Sequence, residues 1–173
     1  SLGLDIDADS SITSLSVSNI TPVAIATDQK LSGAITVSAG SLKLTETGTL
    51  ASAITMSGGK LDADNTMIIS GTLTQAGNAA IDVKDEETVT FNTGTINTEN
   101  YQLTFEGEGT VAFPTNASGI VLNHEDGIFK LAGTGTVQAV QVSTAAKAGK
   151  GILVTQSGNI SNLNISADTE LNI

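Results

Sequence analysis

The sequence predicts an all-β fold in which short parallel strands stack as a single-stranded β-helix, that is, a β-solenoid. Two short patterns recur along the chain, and the composition is poor in aromatic side chains. Hydrophobic residues make up 39% of the 173 residues and aromatic residues only 3%, so Leu, Ile and Val must build the core. A core of this kind suits thin, repeated layers.

The first recurrence is a Gly followed by a polar and an aliphatic residue. Successive copies begin 23, 23, 15, 26 and 23 residues apart, which is an irregular period of about one coil. The copies are Gly48-Thr49-Leu50, Gly71-Thr72-Leu73, Gly94-Thr95-Ile96, Gly109-Thr110-Val111, Gly135-Thr136-Val137 and Gly158-Asn159-Ile160.

The second recurrence is an apolar–polar–apolar triplet, which places one face of a short strand inside and the other in solvent. The apolar members are Leu15/Val17, Ile35/Val37, Ile54/Met56, Ile81/Val83, Leu103/Phe105, Ile120/Leu122, Val140/Val142 and Leu163/Ile165. A third row supplies Val23/Ile25, Leu42/Leu44, Val89/Phe91, Phe129/Leu131 and Leu171/Ile173. Each coil therefore carries up to three strands, and these aliphatic residues are predicted to form the core.

The spacing predicts about eight coils of roughly 20–23 residues within one domain, 1–173, a segment of a longer repeat protein. One coil cannot close a core, but stacked coils can, since each strand pairs in parallel with its counterpart about 4.8 Å away. The step of 27 residues that follows Ile54 is predicted to contain a loop, because it holds Gly58-Gly59 and the polar run 62–65.

An antiparallel sandwich is the alternative fold, since it also has short alternating strands. Asp126-Gly127 is the only dipeptide of the Asn-Gly or Asp-Gly kind that marks tight hairpins. Three equivalent strands repeated every twenty-odd residues are also hard to fit to a sandwich, so the solenoid is the preferred prediction.

The charge of the chain argues against a polyanionic partner. The net charge is −11, all seven basic residues are Lys, and there is no Arg, so the chain would repel nucleic acid. No apolar run approaches twenty residues, and no membrane insertion of this segment is expected. The absence of Cys excludes disulfides and thiolate metal sites.

The titratable residues do not form a recognisable catalytic pattern. His124, the only His, lies in the polar run 123–126 and is predicted to be a solvated turn residue. The acidic run 84–87 lies between two strand pairs and is also predicted to be a turn. With one Tyr, no Trp and no Arg, we expect no enzymatic activity, no cofactor and no metal site.

Threonines around the recurring Gly form the candidate binding surface. In each pair the two residues flank a Gly, so stacking of the coils would produce a two-column hydroxyl ladder, called the predicted threonine ladder below. Its members are Thr47, Thr49, Thr72, Thr93, Thr95, Thr110, Thr134 and Thr136. Ice-binding solenoids have ladders of this appearance, although outward Thr residues also stabilise sheets without any ligand.

The composition and irregular coils, such as 33–37 followed by 41–44, resemble autotransporter passengers and filamentous-haemagglutinin-type adhesins. The resemblance implies a right-handed coil, export to the bacterial cell surface, in association with the outer membrane, or to the extracellular medium, and contact with glycans or proteins of host or neighbouring cells. The function it implies is a structural or adhesive rod segment. The alternative is a ligand-binding surface, with ice on the predicted threonine ladder or glycan at the loops.

Overall fold

A computed structural model of the protein describes residues 5–6, 12–25, 31–91, 96–98, 101–113, 117–118, 120–124, 128–131, 136–142, 151–154, 159–160, 163–165 and 170–172. The surroundings of side chains are described for 13–25, 33–91 and 101–112. Every structural statement below concerns these residues.

The described residues form short strands and no helix. The first twelve strands are β1 (Asp5–Ile6), β2 (Ile12–Val17), β3 (Val23–Ile25), β4 (Leu31–Val37), β5 (Ser41–Leu44), β6 (Gly48–Leu50), β7 (Ile54–Met56), β8 (Lys60–Ala63), β9 (Met67–Ile69), β10 (Leu73–Gln75), β11 (Ala79–Val83) and β12 (Thr88–Phe91). The others are β13 (Ile96–Thr98), β14 (Gln102–Phe105), β15 (Thr110–Phe113), β16 (Ala117–Ser118), β17 (Ile120–His124), β18 (Ile128–Leu131), β19 (Thr136–Val142), β20 (Gly151–Val154), β21 (Asn159–Ile160), β22 (Leu163–Ile165) and β23 (Glu170–Asn172).

These strands belong to three sheets, and every described strand pair is parallel. Sheet A has ten strands in the order β1-β3-β5-β8-β11-β14-β17-β19-β21, with β22 also paired to β19. Sheet B has six, in the order β2-β4-β7-β10-β13-β16, and sheet C has seven, in the order β6-β9-β12-β15-β18-β20-β23. The parallel pairing confirms the predicted all-β solenoid and contradicts the antiparallel sandwich.

The chain visits the three sheets in turn. From β5 to β18 it passes from sheet A to sheet C to sheet B and then returns to sheet A one layer further along, and from β19 onward the described strands belong to sheets A and C. The described strands stack in this way as a solenoid of about four turns. Each strand is only a few residues long because the chain must turn a corner before the next sheet begins.

Inward-facing side chains of the three sheets form one hydrophobic core. In most strands whose side chains are described, buried residues alternate with less buried ones, as a period of two requires. In β5 the neighbours Ser41 and Leu42 are both buried, and in β3 and β6 only the last residue is buried. The core includes Ile81, which is 1% exposed, as predicted. Its largest fully buried side chains are Phe91, Phe105, Ile35, Leu42, Leu44, Leu50, Ile54, Met56 and Leu61.

Among the residues whose burial is described, the three predicted rows identify inward residues correctly, with Val23 only half-buried, but they assign them to the wrong columns. Ile54 and Met56 lie in sheet B, whereas Ile81 and Val83, the next members of the same row, lie in sheet A. The loop predicted in this step is partly right: Gly58-Gly59 and residues 64–65 lie in bends, but β8 runs between them, with Leu61 fully buried. Asp62 of the polar run lies on the outer side of that strand, so a charged residue there does not mark a loop.

Two corners between sheet B and sheet A depend on glycine. Gly40 and Gly59 have φ values of +68° and +66°, a backbone conformation that side chains disfavour. A Cβ atom on Gly59 would lie 2.8 Å from the carbonyl oxygen of Gly40. Successive coils therefore approach so closely at this corner that no side chain fits between them.

Two predictions about polar runs had opposite outcomes. The turn predicted at 84–87 is confirmed, since residues 85–86 form a turn between β11 and β12. The solvated turn predicted for His124 is wrong, because His124 ends β17 and pairs in register with Phe105 and Val142. In a polar run such as 123–126, the sequence does not show at which residue the strand ends and the turn begins.

Candidate functional site

The predicted threonine ladder does not form as one structure. Thr49 lies in sheet C and pairs with Ile68, while Thr110, also in sheet C, pairs with Thr88. Thr72 directly precedes β10 of sheet B, and Thr136 begins β19 of sheet A. Thr47 lies at the exposed corner before β6.

The remaining members, Thr93, Thr95 and Thr134, lie outside the described residues. The strand register therefore shows that the described Thr residues of the predicted ladder do not stack in a common column. The physical reason is that the recurring Gly marks a different corner in different coils, so equal sequence patterns do not stack on each other.

A different hydroxyl column does form, along the middle of the outer face of sheet B. The register joins β2, β4, β7, β10, β13 and β16 through one residue of each strand, and in β2, β4, β7 and β10 this residue faces outward. These residues are Ser16, Thr36, Thr55, Thr74, Asn97 and Ser118. Ser16, Thr36 and Thr55 are the polar middle residues of apolar–polar–apolar triplets, and this pattern is the sequence signal for the column, whereas Thr74 lies between Leu73 and Gln75.

Small residues flank this column on both sides. On one side Ser14 pairs with Ala34, and the backbone ladder continues through Ala53 and Thr72. On the other side Ser18 follows β2, and the N–H groups of the corresponding residues in the next coils, Ser38, Ser57 and Ala76, donate to the carbonyl oxygens of Val17, Val37 and Met56 with N···O distances of 2.7–2.9 Å. The sheet B face is the name used below for these three columns, spanning 14–18, 34–38, 53–57 and 72–76.

The sheet B face contains no charged and no aromatic side chain across these four described strands. The hydroxyls of Thr36 and Thr55 donate to no other described residue, whereas Ser38 Oγ donates to the carbonyl oxygen of Val17 at 3.3 Å. Strand spacing of about 4.8 Å and a distance of roughly 6.6 Å between alternate residues make the hydroxyls a regular grid. The face therefore offers repeated, uncharged hydrogen-bonding groups to the solvent.

The outer face of sheet A is charged instead. In register, Lys43 pairs with Asp62, and Asp62 pairs with Asp82. Lys43 Nζ lies 2.9 Å from Asp64 Oδ2 and 3.7 Å from Asp62 Oδ2. We call Lys43, Lys60 and the four carboxylates that they contact, on Asp62, Asp64, Asp82 and Glu106, the charged column.

Lys60 connects the later coils of the charged column. Its Nζ lies 2.8 Å from Asp82 Oδ2 and 3.5 Å from Glu106 Oε2. The hydrogen bond to Asp82 raises the pKa of Lys60, as the bond to Asp64 raises the pKa of Lys43. Both lysines are therefore held in the charged form, and each links its own coil to later ones.

Asp62 is the unfavourable member of the charged column. Partial burial raises its pKa, and the neighbouring carboxylates of Asp82 and Asp64 act in the same direction, against the opposing effect of Lys43 and Lys60. The ionised carboxylate is thus less stable in the fold than in water, first because it is partly buried and second because like charges lie opposite each other in adjacent parallel strands.

The described part of the chain holds neither a cluster of metal ligands nor a long apolar helix. No three or more His, Cys, Asp or Glu side chains converge there in a way that could hold a metal ion. The same residues form no helix that is long and apolar enough to cross a membrane. The buried residues are almost all apolar, so the groups available for binding lie on the outer faces.

Comparison with protein families, with curated proteins and with solved structures finds no match to this chain.

Proposed function

We propose that the chain is a structural and adhesive rod segment of a bacterial surface or secreted protein, which mediates attachment or display. The observation that carries this proposal is the stacking itself. Sheet A pairs its strands in parallel from β1 to β21, across nearly the whole chain, with a register shift between Ile120 and Val121. Its backbone hydrogen bonds and apolar core extend the rod while the outer faces stay available for contact.

The proposed rod is one domain, coils in the right-handed sense and has about eight coils, which corresponds to a length on the order of 40 Å. It acts outside the cell or at the cell surface, and its partners are glycans or proteins of neighbouring or host cells. It has no catalytic activity and no cofactor, and it binds neither nucleic acid nor the membrane interior. The net charge of −11 supports the exclusion of polyanions.

Attachment of coated beads tests the adhesive role. Beads carrying the full chain should bind cultured epithelial cells or bacterial cells several-fold more than beads carrying Ile81→Asp, a variant expected to be unfolded. Equal binding of both beads, or binding of neither, would contradict adhesion. Small-angle scattering separately tests the rod, since a compact particle with no elongated axis is incompatible with eight stacked coils.

The sheet B face favours a second candidate function, a ligand-binding surface for ice or for a neutral glycan. It replaces the predicted threonine ladder as the surface on which this function would depend. Hydroxyls that exchange water for a partner gain little each, so useful affinity requires many simultaneous contacts with a repeating partner. An ordered lattice of water or a linear polysaccharide satisfies that requirement, and an isolated small molecule does not.

Freezing measurements test the ice arm of this second candidate. Purified chain should shape growing ice crystals and lower the freezing point below the melting point, and Thr55→Tyr should abolish both effects. Thr90→Tyr is the matched control, since Thr90 lies on the outer side of sheet C. Round ice crystals at millimolar protein would exclude ice binding. An equal loss of ice shaping in Thr55→Tyr and Thr90→Tyr would exclude the sheet B face as the ice-binding surface.

The glycan arm has a separate readout. Neutral polysaccharides such as cellulose and dextran should retard the wild-type chain in affinity electrophoresis and should not retard Thr55→Tyr. If the sheet B face binds neither ice nor a neutral polysaccharide while coated beads still attach to cells, the second candidate fails and the rod proposal stands.

A further inference from the structure

Corners between sheet B and sheet A are joined by backbone hydrogen bonds in the regular part of the solenoid. The N–H of Lys60 donates to the carbonyl oxygen of Gly40 at 2.8 Å. One coil later, the N–H of Ala80 donates to the carbonyl oxygen of Gly59 at 3.0 Å. Bonds of this kind persist whatever side chains occupy the corner.

The next corner is held by side chains instead. The N–H of Gln102 donates to Asn78 Oδ1 at 3.0 Å, and the carbonyl oxygen of Gln102 accepts from Gln75 Nε2 at 2.7 Å. Both backbone groups of Gln102 are thus satisfied by two side chains of the preceding coil. We call this pair of hydrogen bonds the side-chain clip.

Coil length explains the difference. Ile81 pairs with Leu61, which lies 20 residues earlier, but Phe105 pairs with Ile81, which lies 24 residues earlier. The longer coil cannot keep all its residues in the ladder, so the start of β14 needs hydrogen-bonding partners from outside the ladder.

The side-chain clip places a polar group in the core. Gln75 is 2% exposed and occupies the inward column of sheet B that Val17, Val37 and Met56 occupy in earlier coils. Its Oε1 atom has no hydrogen-bonding partner among the described residues. A buried, unpaired carbonyl destabilises its surroundings. Ser41 Oγ, in an earlier coil, is also buried without a partner, so the contact at the clip differs from earlier ones in combining such an atom with side-chain hydrogen bonds in place of the backbone bonds at the corner.

We propose that the side-chain clip is the joint at which the solenoid opens first, so that coils after it separate before coils that precede it. Stacked repeats contact only their neighbours, and an array of this kind opens at its weakest interface. The rod is then two cooperative units in series. The inference concerns opening of the rod and does not depend on what its outer faces bind.

Hydrogen exchange of the full chain, measured by mass spectrometry, tests this proposal. In the wild type, amides of 101–112 should exchange at least ten times faster than strand amides of 33–75. Asn78→Ala removes the acceptor for the Gln102 N–H and should accelerate exchange in 101–112 at least threefold without changing 33–75. Asn78→Asp keeps an acceptor oxygen at that position and should leave both segments as in the wild type.

Any of three results would contradict the proposal that the solenoid opens first at the side-chain clip. Equal protection of both segments in the wild type, or equal acceleration of both in Asn78→Ala, would show one cooperative unit. An unchanged exchange pattern in Asn78→Ala would show that the clip does not hold the following coils.

Fluorescence gives an independent test, because Tyr101 is the only Tyr and the chain has no Trp. In urea, the Tyr101 signal should change at a lower concentration than the far-ultraviolet circular dichroism of the whole chain. Coincident midpoints would contradict the joint.

Discussion

The outer faces of sheet A and sheet B differ in chemistry although they belong to the same coils. The sheet A face carries the charged column, in which Lys43 and Lys60 connect successive coils through ion pairs of 2.8–3.7 Å. The sheet B face carries only Ser, Thr and Ala at its outward positions in the four described strands. Both faces rest on the same apolar core and the same parallel backbone ladder.

This difference shows that stacking and surface chemistry are separable in the fold. Backbone hydrogen bonds and inward Leu, Ile, Val and Phe hold the coils together, so outward residues vary without changing the architecture. One face can therefore provide stability or electrostatic repulsion while another provides contact with a partner.

The largest expected effect comes from the inner side that both faces share. Ile81→Asp buries an unpaired carboxylate, which costs several kcal/mol against a total stability of roughly 5–15 kcal/mol. We expect loss of the cooperative thermal transition in circular dichroism. The neighbouring control, Ala80→Asp, places its carboxylate on the outer side beside Lys60 and should melt within a few degrees of wild type. Similar melting of the two variants would refute the alternation.

The next effect concerns the corner that joins the two faces. Gly59→Ala places a Cβ atom 2.8 Å from the carbonyl oxygen of Gly40 at a φ of +66°, and we expect a loss of about 2 kcal/mol or more. Urea denaturation measures this loss. Ser57→Ala, at an exposed position of the same corner, should change stability by less than about 0.5 kcal/mol.

A smaller effect distinguishes the two outer faces, because only the stability contributed by the sheet A face should depend on salt concentration and on alkaline pH. Lys60→Met removes two ion pairs that are about a third exposed, and we expect a loss of about 0.5–1 kcal/mol at low salt that shrinks as salt is added. Because the folded pKa of Lys60 is raised, its contribution is present below its unfolded pKa and is lost as pH rises through the folded pKa.

The matched variant on the other face is Thr55→Val, whose difference from wild type should depend on neither salt nor alkaline pH. Urea denaturation at several salt concentrations and pH values makes the comparison. The same salt dependence in both variants would contradict the assignment of electrostatic stabilisation to sheet A.

The smallest expected effect concerns Asp62, and the prediction is whether its carboxyl raises or lowers the stability of the fold. Its raised pKa means that the folded state favours the protonated carboxyl, so stability from this group is present at low pH and is lost as pH rises through the folded pKa. Asp62→Asn should therefore be more stable than wild type at pH 7, by roughly 0.5 kcal/mol or less at this partly exposed site.

The advantage of Asp62→Asn should narrow on acidification, as the wild-type carboxyl becomes protonated. Stability curves between pH 3 and pH 7 check the direction. A variant less stable than wild type at pH 7 would show that the pairing of Asp62 with Lys43 outweighs its burial and the neighbouring carboxylates.

The sequence was sufficient to predict which residues face inward. The apolar–polar–apolar triplets at Leu15/Val17, Ile35/Val37 and Ile54/Met56 all lie in the core of sheet B, because alternation is a local property of an extended strand. The turn at 85–86 was predictable for a similar reason, since a run of charged residues between two apolar pairs cannot continue the core.

The sequence was not sufficient to predict which residues stack. Thr49 and Thr72 follow identical Gly residues, yet Thr49 pairs with Ile68 in sheet C and Thr72 lies beside sheet B. Coil length varies from one turn to the next, so the column that a strand joins depends on all the corners before it. The candidate binding surface is therefore the sheet B face and not the predicted threonine ladder.

The amino-acid pattern alone determined a parallel, all-β stack with an aliphatic core and polar outer residues, because period-two burial is readable locally. Only the tertiary structure decided that Ser16, Thr36, Thr55 and Thr74 share one column and that Lys60 reaches both Asp82 and Glu106. These pairings join residues about 20 or more positions apart, and register between coils is set by the long-range backbone ladder and the shared core, which no short segment encodes.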